Sequence, residues 1–308
     1  MPAAPSMGFL GQVGMGPDTG NVTESYEIEA ESVGMQQEEI AIYGIRGTRS
    51  RITERVIDGR RQVGGSITLA PQPGELRKLL PRILGGAETP VSNTHFTYAL
   101  AETLPSFALM IDRIAKVFTY ATCYVDSASF SSATGQALRL ALQIEALAES
   151  VGAAGTFPAI SVSDDQPFVF HQGTLTLGGT AYEMMGVEVT LNNMLKKDRF
   201  VNSQTRTHLP PTDRQVSVRC TVPYTADTVG LYNSGAPGIT GVVKFSVGGA
   251  GEGAAGKSLT FTFGKVILPA ARSPVLANKD EIVLTLGGDS RKVTGSTPEL
   301  AIILDTTA

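Results

Sequence analysis

The sequence of 308 residues is poor in the side chains on which most catalytic and metal sites depend. Its two cysteines, Cys123 and Cys220, lie far apart along the chain, and we expect reduced packing residues rather than a disulfide framework. Its three histidines, His95, His171 and His208, lie on different segments without carboxylates or cysteines at ligand spacing. No serine occupies a Gly-x-Ser-x-Gly motif. We therefore predict that the protein is not an enzyme and has no catalytic, metal or cofactor site.

Long apolar segments are also absent. No run approaches the roughly 20 apolar residues that a membrane-spanning helix needs, and the N-terminus lacks the features of a signal peptide. We therefore expect a soluble protein that is made in a cytoplasm and has no membrane partner. The net charge of −4 argues against a protein whose overall field attracts nucleic acid.

The composition favours β-structure. Charged residues make up only 18% of the chain, whereas glycine occurs 34 times and proline 17 times, a balance typical of short strands joined by turns. A length of 308 residues fits about two domains of ordinary size. The composition therefore predicts a mostly β protein with two domains.

One pattern occurs in both halves of the chain. Arg61-Gln62-Val63 leads into an alternating segment that ends at Leu69, and Arg214-Gln215-Val216 leads into a similar segment that ends at Val222. Each half continues with a helical stretch, a strand, a Leu-Pro pair, a Thr-Gly turn and an apolar strand. These are, in the two halves, Pro73–Leu84 and Thr225–Asn233, Phe96–Tyr98 and Phe261–Phe263, Leu104-Pro105 and Leu268-Pro269, Thr134-Gly135 and Thr294-Gly295, and Leu138–Ile144 and Leu300–Leu304. The shared order predicts an internal duplication.

The domain organisation follows from this repeat. Residues 1–22 have no hydrophobic period, and we expect a flexible N-terminal arm or, alternatively, an arm that orders on a neighbouring subunit. Residues 23–156 form the first predicted β-domain and residues 157–308 the second. The boundary lies in a stretch rich in Ala, Gly, Ser and Pro.

A long basic loop precedes the repeated strand in each half: Gly44–Arg61 and Asn192–Arg214. The first loop has interleaved apolar residues, and Asp58-Gly59 near its end is typical of a hairpin turn. Removing the eleven bases and four acids of both loops from the totals of 25 and 29 leaves 14 bases and 25 acids elsewhere. The loops are therefore either solvated faces or surfaces that bind an acidic region of another copy.

Two further motifs have a functional interpretation. Gly251–Ser258 has the spacing of a phosphate-binding loop, but Leu259–Gly264 predicts a strand where such a loop requires a helix. A P-loop nucleotide-binding enzyme is therefore the least favoured alternative. The glutamates between Glu24 and Glu39 alternate as on an outward β-surface, and the alternative is an acidic lining that repels a negatively charged polymer.

A series of short motifs covers most of the chain after the first twenty residues. The motifs are Gly44–Arg51, Val63–Ile67, Pro73–Leu80, Leu84-Gly85-Gly86, Leu104–Phe107 and Val189–Asn193. In this series of motifs the chain resembles the tail tube proteins of phages with long, non-contractile, siphovirus-type tails.

The resemblance implies a fold and a function. The fold would be two tandem β-barrel or β-sandwich domains of the tail-tube type, each with one short helix. The subunits would form rings, either trimers with pseudo-sixfold symmetry or hexamers, that stack around a channel for DNA ejection. Another β-rich virion component, such as a tail terminator, a baseplate hub or a decoration protein, remains an alternative.

The resemblance also implies partners, a location and contact residues. The partners would be further copies of the chain, the tail terminator, distal tail and tape measure proteins, and viral DNA that passes through the lumen. The protein would be synthesised in the bacterial host cytoplasm and would reside in the virion tail. The two basic loops would stack successive rings through Arg46, Arg49, Arg51, Ile52, Arg55, Val56, Ile57, Lys196, Lys197, Arg199, Arg206 and Arg214.

Overall fold

A computed structural model gives the fold of the protein. It describes residues 7–18, 22–45, 47–152, 157–158, 165–232, 238–247, 256–268, 279, 281–295 and 297–306. The prediction of a mostly β protein is confirmed, because strands dominate these residues. The strands belong to a large sheet that is not closed into a barrel within the subunit.

The two halves of the chain have similar series of elements. The strands of the first half are β1 (Gln12–Pro17), β2 (Glu24–Tyr26), β3 (Ala30–Glu31), β4 (Gly34–Ala41), β5 (Val56–Leu69), β6 (Thr89–Pro90), β7 (His95–Ala99), β8 (Phe107–Asp112), β9 (Val117–Ala133), β10 (Arg139–Ala146) and β11 (Ala148–Gly152). Those of the second are β12 (Gly173–Leu177), β13 (Thr180–Tyr182), β14 (Gly186–Asn192), β15 (Gln215–Pro223), β16 (Ile239–Ser246), β17 (Ser258–Ile267), β18 (Val283–Arg291) and β19 (Leu300–Asp305). The helices are α1 (Pro73–Leu84) and α2 (Val229–Tyr232), and short 3₁₀ turns lie at Gly8–Leu10, Thr53–Arg55 and Phe170–Gln172.

A central antiparallel layer crosses both halves. Its strands are hydrogen-bonded in the order β4, β5, β10, β9, β14, β15, β18. The two halves meet where β9 pairs with β14, with Phe130 opposite Val189. The central layer is therefore one continuous surface across the predicted domain boundary.

The long strand β9 also belongs to an outer layer. Its first part pairs with β8 and β11, and its later part pairs with β10 and β14. In the second half, β17 pairs with β16 on one side and with β18 and β19 on the other. Each half is thus folded over itself, and the apolar faces of its strands enclose the core.

Strand pairings recur between the halves. The pairs β1–β8, β4–β5, β5–β10, β9–β10 and β9–β11 have the counterparts β12–β16, β14–β15, β15–β18, β17–β18 and β17–β19. The sequence repeat aligns Val63 with Val216. These recurring pairings agree with that alignment, because Val63 of β5 and Val216 of β15 occupy equivalent positions in the central layer. Internal duplication itself stays a prediction.

One part of the predicted repeat does not fit this correspondence. Phe96–Tyr98 lies in β7, which pairs with β19, whereas Phe261–Phe263 lies in β17, the counterpart of β9. The short alternating motifs are alike because both strands have one buried face, and such a pattern does not identify the strand's neighbours. Pro269, in the second predicted Leu-Pro pair, lies outside the described residues.

The core lies between the central and outer layers. Leu76, Leu79, Leu80 and Ile83 of α1 are buried in it, and Phe130 of β9 packs edge-on against Phe261 of β17 at 5.0 Å between ring centroids. Such edge-to-face pairs contribute about 1 kcal/mol beyond the area that they bury. Both halves therefore share one hydrophobic core.

Helix α1 has the predicted bounds because its ends are encoded locally. Pro73 occupies the first turn, where no backbone donor is needed, and the Glu75 carboxylate accepts a hydrogen bond from the Gln72 amide at 3.0 Å. Gly85 ends the helix with a left-handed φ of 82°. The second predicted helix is shorter than expected and spans Val229–Tyr232, and the predicted end at Asn233 lies outside the described residues.

Two local expectations differ from the structure. The predicted N-terminal arm contains β1, which pairs with β2 and β8 and buries Val13 and Met15, because its alternate apolar side chains fit the core. Asp58-Gly59 is not a hairpin turn but lies within β5, beside a register shift opposite β4. A side chain at Gly59 would lie 2.9 Å from the Glu38 carbonyl oxygen, so this bulge requires glycine.

Candidate assembly and conduit surfaces

The first basic loop projects from the end of the central layer. Strands β4 and β5 continue past the end of β10 as a two-stranded hairpin. At the base of the loop that joins these strands, the Ile42 amide donates a hydrogen bond to the Arg55 carbonyl at 3.1 Å. Beyond this bond the apolar side chains face solvent, and Ile45 is 106% exposed. The Arg51 guanidinium lies 4.8 Å from the centre of the Tyr43 ring. We refer to residues 42–55 as the arm and to the β4–β5 hairpin that carries it, residues 34–41 and 56–62, as its stem.

The predicted contact residues of the arm are accessible. Arg49, Arg51 and Arg55 are exposed, as are Ile52, Val56 and Ile57 at and beside the arm's base. Arg46 lies outside the described residues. Exposed apolar residues interleaved with arginines are typical of a surface that binds another protein.

The second basic loop, by contrast, is docked on its own chain. Leu195 and Leu209 are buried, and the Arg61 amide donates to the Gln204 carbonyl at 2.7 Å. The Gln204 side chain donates to the Asp58 carbonyl at 3.0 Å. The second loop therefore lies against the stem of the arm, and the two predicted loops are neighbours within one subunit.

A buried ion cluster fixes the second loop. The Arg206 side chain is 3% exposed, and its Nη1 donates to Glu145 Oε2 on β10 at 2.6 Å. Lys197 Nζ lies 2.7 Å from Asp126 Oδ2 and 3.0 Å from Glu145 Oε1. Burial opposes the charged form of Lys197, but its hydrogen bonds to the two carboxylates outweigh that effect and raise its pKa. Both bases therefore neutralise carboxylates of their own subunit.

Of the other predicted contact residues of the second loop, one is paired within the subunit and two are exposed. Arg214 Nε lies 3.2 Å from Glu299 Oε2, and its Nη1 donates to the Ala101 carbonyl. Lys196 and Arg199 are exposed. The structure thus leaves Lys196 and Arg199 on the surface and uses Lys197, Arg206 and Arg214 within the subunit.

Hydroxyl and amide side chains cover the open face of the central layer. The strand registers place Thr68, Ala141, Ser129, Thr190, Ser217 and Asp289 side by side across six strands. A neighbouring row consists of Ser66, Gln143, Ser127, Asn192 and Gln215. Because side chains alternate along a strand, these rows share the face opposite the core. We call this surface the hydroxyl face.

The charges on the hydroxyl face are balanced. The next row contains Arg139, Ser131, Glu188 and Arg219. Glu188 accepts a hydrogen bond from Ser129 at 3.1 Å, and Asp289 accepts one from the Gln215 amide at 2.9 Å. Few charged side chains therefore project from this face without a partner of opposite charge or a hydrogen bond.

The hydroxyl face was not predicted from the sequence, although a signal for it is present. Ser127, Ser129 and Ser131 alternate with Ala128 and Phe130 along β9, which is a half-buried strand with a hydroxyl side. The face becomes recognisable only when the registers of separate strands align their hydroxyl positions, and these registers depend on contacts between distant parts of the chain.

The predicted acidic segment is divided among several contacts. Glu24 pairs with Arg82 at 2.8 Å, Glu31 with Arg113 at 2.8 Å and Glu38 with Arg60 at 2.8 Å. The exposed Glu38–Arg60 pair lowers the pKa of the Glu38 carboxyl through its hydrogen bond and the positive charge of the guanidinium. The segment is not a single acidic row on the hydroxyl face.

The phosphate-loop pattern does not continue into a helix. Ser258 is the first residue of β17, which pairs with β16 and β19, and the Lys257 ammonium group contacts the Asp165 carboxylate. A strand at this point provides no helix N-terminus for a phosphate. Gly251–Ala255 lie outside the described residues, and within the described ranges no cluster of His, Cys, Asp and Glu is suited to a metal ion.

Cys123 and Cys220 are free and buried, and burial raises the pKa of Cys220 to about 12. Both helices are too short or too polar to span a membrane, which holds for the part of the chain that the structure describes.

Comparison with known proteins supplies the family. The chain has no significant match among proteins of curated function. A family model described as phage tail tube protein matches residues 6–290. The match begins before β1 and ends within β18, so it includes the arm, the second loop and almost the whole hydroxyl face. The chain therefore belongs to the phage tail tube protein family, whose members are structural components of the virion tail.

Proposed function

We propose that this tail tube subunit assembles into closed rings whose inner wall is the hydroxyl face. The observation that carries the proposal is the β9–β14 junction, where the two halves of one chain continue a single sheet. The counterpart of β14 in the first half is β4, which has a partner on one edge only among the described residues. A neighbouring subunit that pairs with the free edge of β4 would repeat the internal junction.

Ring closure also solves a physical problem. The free edge of β4 has no strand partner among the described residues, and its side chains from Met35 to Ile40 are exposed. Exposed sheet edges promote uncontrolled association unless another strand covers them. A closed arrangement of strands removes the edges altogether. Three chains with two sheet units each would complete a pseudo-sixfold ring, and a hexameric ring is the alternative.

The chemistry of the hydroxyl face suits a DNA conduit. Proteins bind DNA strongly when clustered Lys and Arg residues neutralise phosphates and release counterions. Arg139 and Arg219 lie on this face near Glu29 and Glu188, and the other two rows consist mainly of Ser, Thr, Asn and Gln. Viral DNA would therefore pass such a wall during ejection without being held.

The arm and the exposed bases of the second loop would join successive rings. We infer that Arg49, Arg51, Arg55, Ile52, Val56 and Ile57 contact the next ring, with Lys196 and Arg199 beside them. Exposed ion pairs contribute about 0–1 kcal/mol each, so the apolar residues would supply most of the affinity. Lys197, Arg206 and Arg214 would act indirectly, because their contacts within the subunit hold the second loop in place.

The same function defines the other proposed partners. The end rings of a tube would contact a tail terminator and distal tail proteins, and the lumen would hold a tape measure protein before DNA enters. Synthesis in the bacterial host cytoplasm would precede incorporation into the virion tail.

Electron microscopy of the purified protein tests this function. We expect open-ended tubes of stacked rings with a central channel in negative stain. Single rings that never elongate would contradict the proposal and would favour a tail terminator, a baseplate hub or a decoration protein.

A further inference from the structure

A groove of about 500 Å³ lies beside the first half's outer layer. It is lined by the start of β1, the segment between β2 and β3, and the turn that joins β8 to β9. Its apolar lining includes Phe9, which is 83% exposed, together with Ile28 and Ile114. An exposed phenylalanine beside partly exposed isoleucines is a surface that gains free energy when another chain covers it.

The groove is also acidic. Glu27, Glu29, Glu31 and Asp112 line it, and among the described residues that line it Arg113 is the single base. Arg113 is held by Glu31, with Nη2 2.8 Å from the carboxylate, so its charge is already paired. Glu29 pairs with Arg139 in an exposed contact, and Glu27 is exposed. The groove therefore combines apolar contacts with negative charge.

The rim of the groove is strained. Ile114 has a φ of 71°, a left-handed conformation that β-branched residues rarely adopt, and its side chain is partly exposed. The Asp112 carboxylate stabilises this turn by accepting a hydrogen bond from the Ile114 amide at 2.7 Å. Strained positions of this kind tend to occur at binding sites.

The arm has the complementary properties but lies at the other end of the subunit. Its described bases are Arg49, Arg51 and Arg55, and Ile42, Tyr43 and Ile45 are its exposed apolar residues. The arm ends at Arg55, directly before Val56, the first residue of β5. The groove lies at the other end of β5, where the Glu29 amide donates a hydrogen bond to the Thr68 carbonyl. Twelve strand residues span roughly 40 Å, so the arm of one chain points away from its own groove.

We propose that the acidic groove receives the arm of a second copy of the chain in the adjacent ring. The arginines of the arm would face Glu27 and Glu29, and Ile45 would contact Phe9 and Ile28. This inference rests on the proposed stacking of rings and specifies which two surfaces meet. Charge complementarity would set the direction of stacking, since the groove and the arm lie at opposite ends of β5.

Site-directed cross-linking tests this pairing. The double variant Ile45→Cys, Phe9→Cys would be assembled into tubes and treated with a short bifunctional maleimide. The native cysteines are buried, so the introduced thiols would react first. We expect a ladder of covalent species that extends beyond the number of chains in one ring. Each single variant, and Ile45→Cys combined with Val91→Cys on the exposed β6–β7 turn, serves as a control and is expected to give no ladder.

A second variant tests the electrostatic part. Glu27→Arg should reduce tube formation at least tenfold with an unchanged melting temperature, and the added exchange Arg51→Glu should restore much of it. Tubes that form normally without a cross-linked ladder would overturn the groove assignment and leave the tube function intact. A wild-type protein that forms no tubes would overturn both.

Discussion

At the scale of single residues, Arg206 shows how a surface-type residue becomes structural. The resemblance to tail tube proteins implied a contact with another ring for this residue, because it lies in the second basic loop. The structure buries its guanidinium against Glu145, with Gln62 Oε1 at 3.3 Å and the Val63 carbonyl at 3.4 Å. No local signal distinguishes Arg206 from the exposed Arg199, since the difference arises from the distant strand β10.

Removing Arg206 should therefore destabilise the subunit. Arg206→Met leaves Glu145 buried with only Lys197 as a charged partner, and we expect a loss of about 3 kcal/mol in the free energy of unfolding. Urea unfolding monitored by circular dichroism measures this loss. The control Arg199→Met should change stability by less than about 0.5 kcal/mol. Equal effects of the two substitutions would refute a structural role for Arg206.

Buried tyrosines should make the subunit sensitive to alkaline pH. Burial raises the pKa of Tyr120 to about 12, and its hydroxyl donates to the Val33 carbonyl at 2.9 Å. A raised pKa means that the stabilisation is complete below the unfolded value of about 10 and is lost as the pH rises through the folded value. Burial likewise raises the pKa values of Tyr26 and Tyr98.

We therefore expect the free energy of unfolding to fall between about pH 10 and pH 12. In the variant Tyr120→Phe the free energy of unfolding should fall less steeply, because position 120 no longer carries a hydroxyl that titrates. Urea unfolding at several pH values provides the comparison. Identical slopes for the wild type and the variant would mean that Tyr120 does not contribute.

At the scale of elements, features with local causes were predicted better than features with distant causes. Helix α1 has the predicted bounds because Pro73, Glu75 and Gly85 define its ends within a few residues. The hairpin signal at Asp58-Gly59 failed because pairing with β4 continues past it, as a bulge. The β9–β14 junction, on which the proposed conduit depends, joins strands from different halves and has no local signature.

The arm is the element whose chemistry most directly predicts assembly behaviour. Replacing Ile52, Val56 and Ile57 by Asp should leave a folded subunit, because these side chains are already exposed, and should prevent elongation into tubes. Circular dichroism verifies folding, and negative-stain microscopy counts tubes.

A matched control separates the arm from a general effect of added charge. Val91→Asp with Val151→Asp changes two exposed positions outside both loops and should assemble normally. Tubes of normal length from the triple variant would show that the arm does not stack the rings.

At the scale of the whole molecule, the chain contains two similar sheet units that are joined in the central layer by the pairing of β9 with β14. The mostly β class and the family could be predicted from composition and short motifs, because these reflect local preferences and burial. The hydroxyl face and the docking of the second loop could not, because they depend on the registers of strands far apart in sequence. The basic residues of the two loops therefore have two environments. Arg206 pairs with Glu145 within the subunit, whereas the described arginines of the arm are exposed.

In the proposed tube, further subunits repeat the β9–β14 junction around a channel lined by the hydroxyl face. Cryo-electron microscopy of assembled tubes, at a resolution that separates strands, would show this arrangement. We expect β4 of one subunit to pair with a strand of its neighbour and Ser129, Thr190 and Ser217 to face the lumen. A tube in which the edge of β4 stays unpaired, or in which these residues lie on the outer wall, would contradict this expectation.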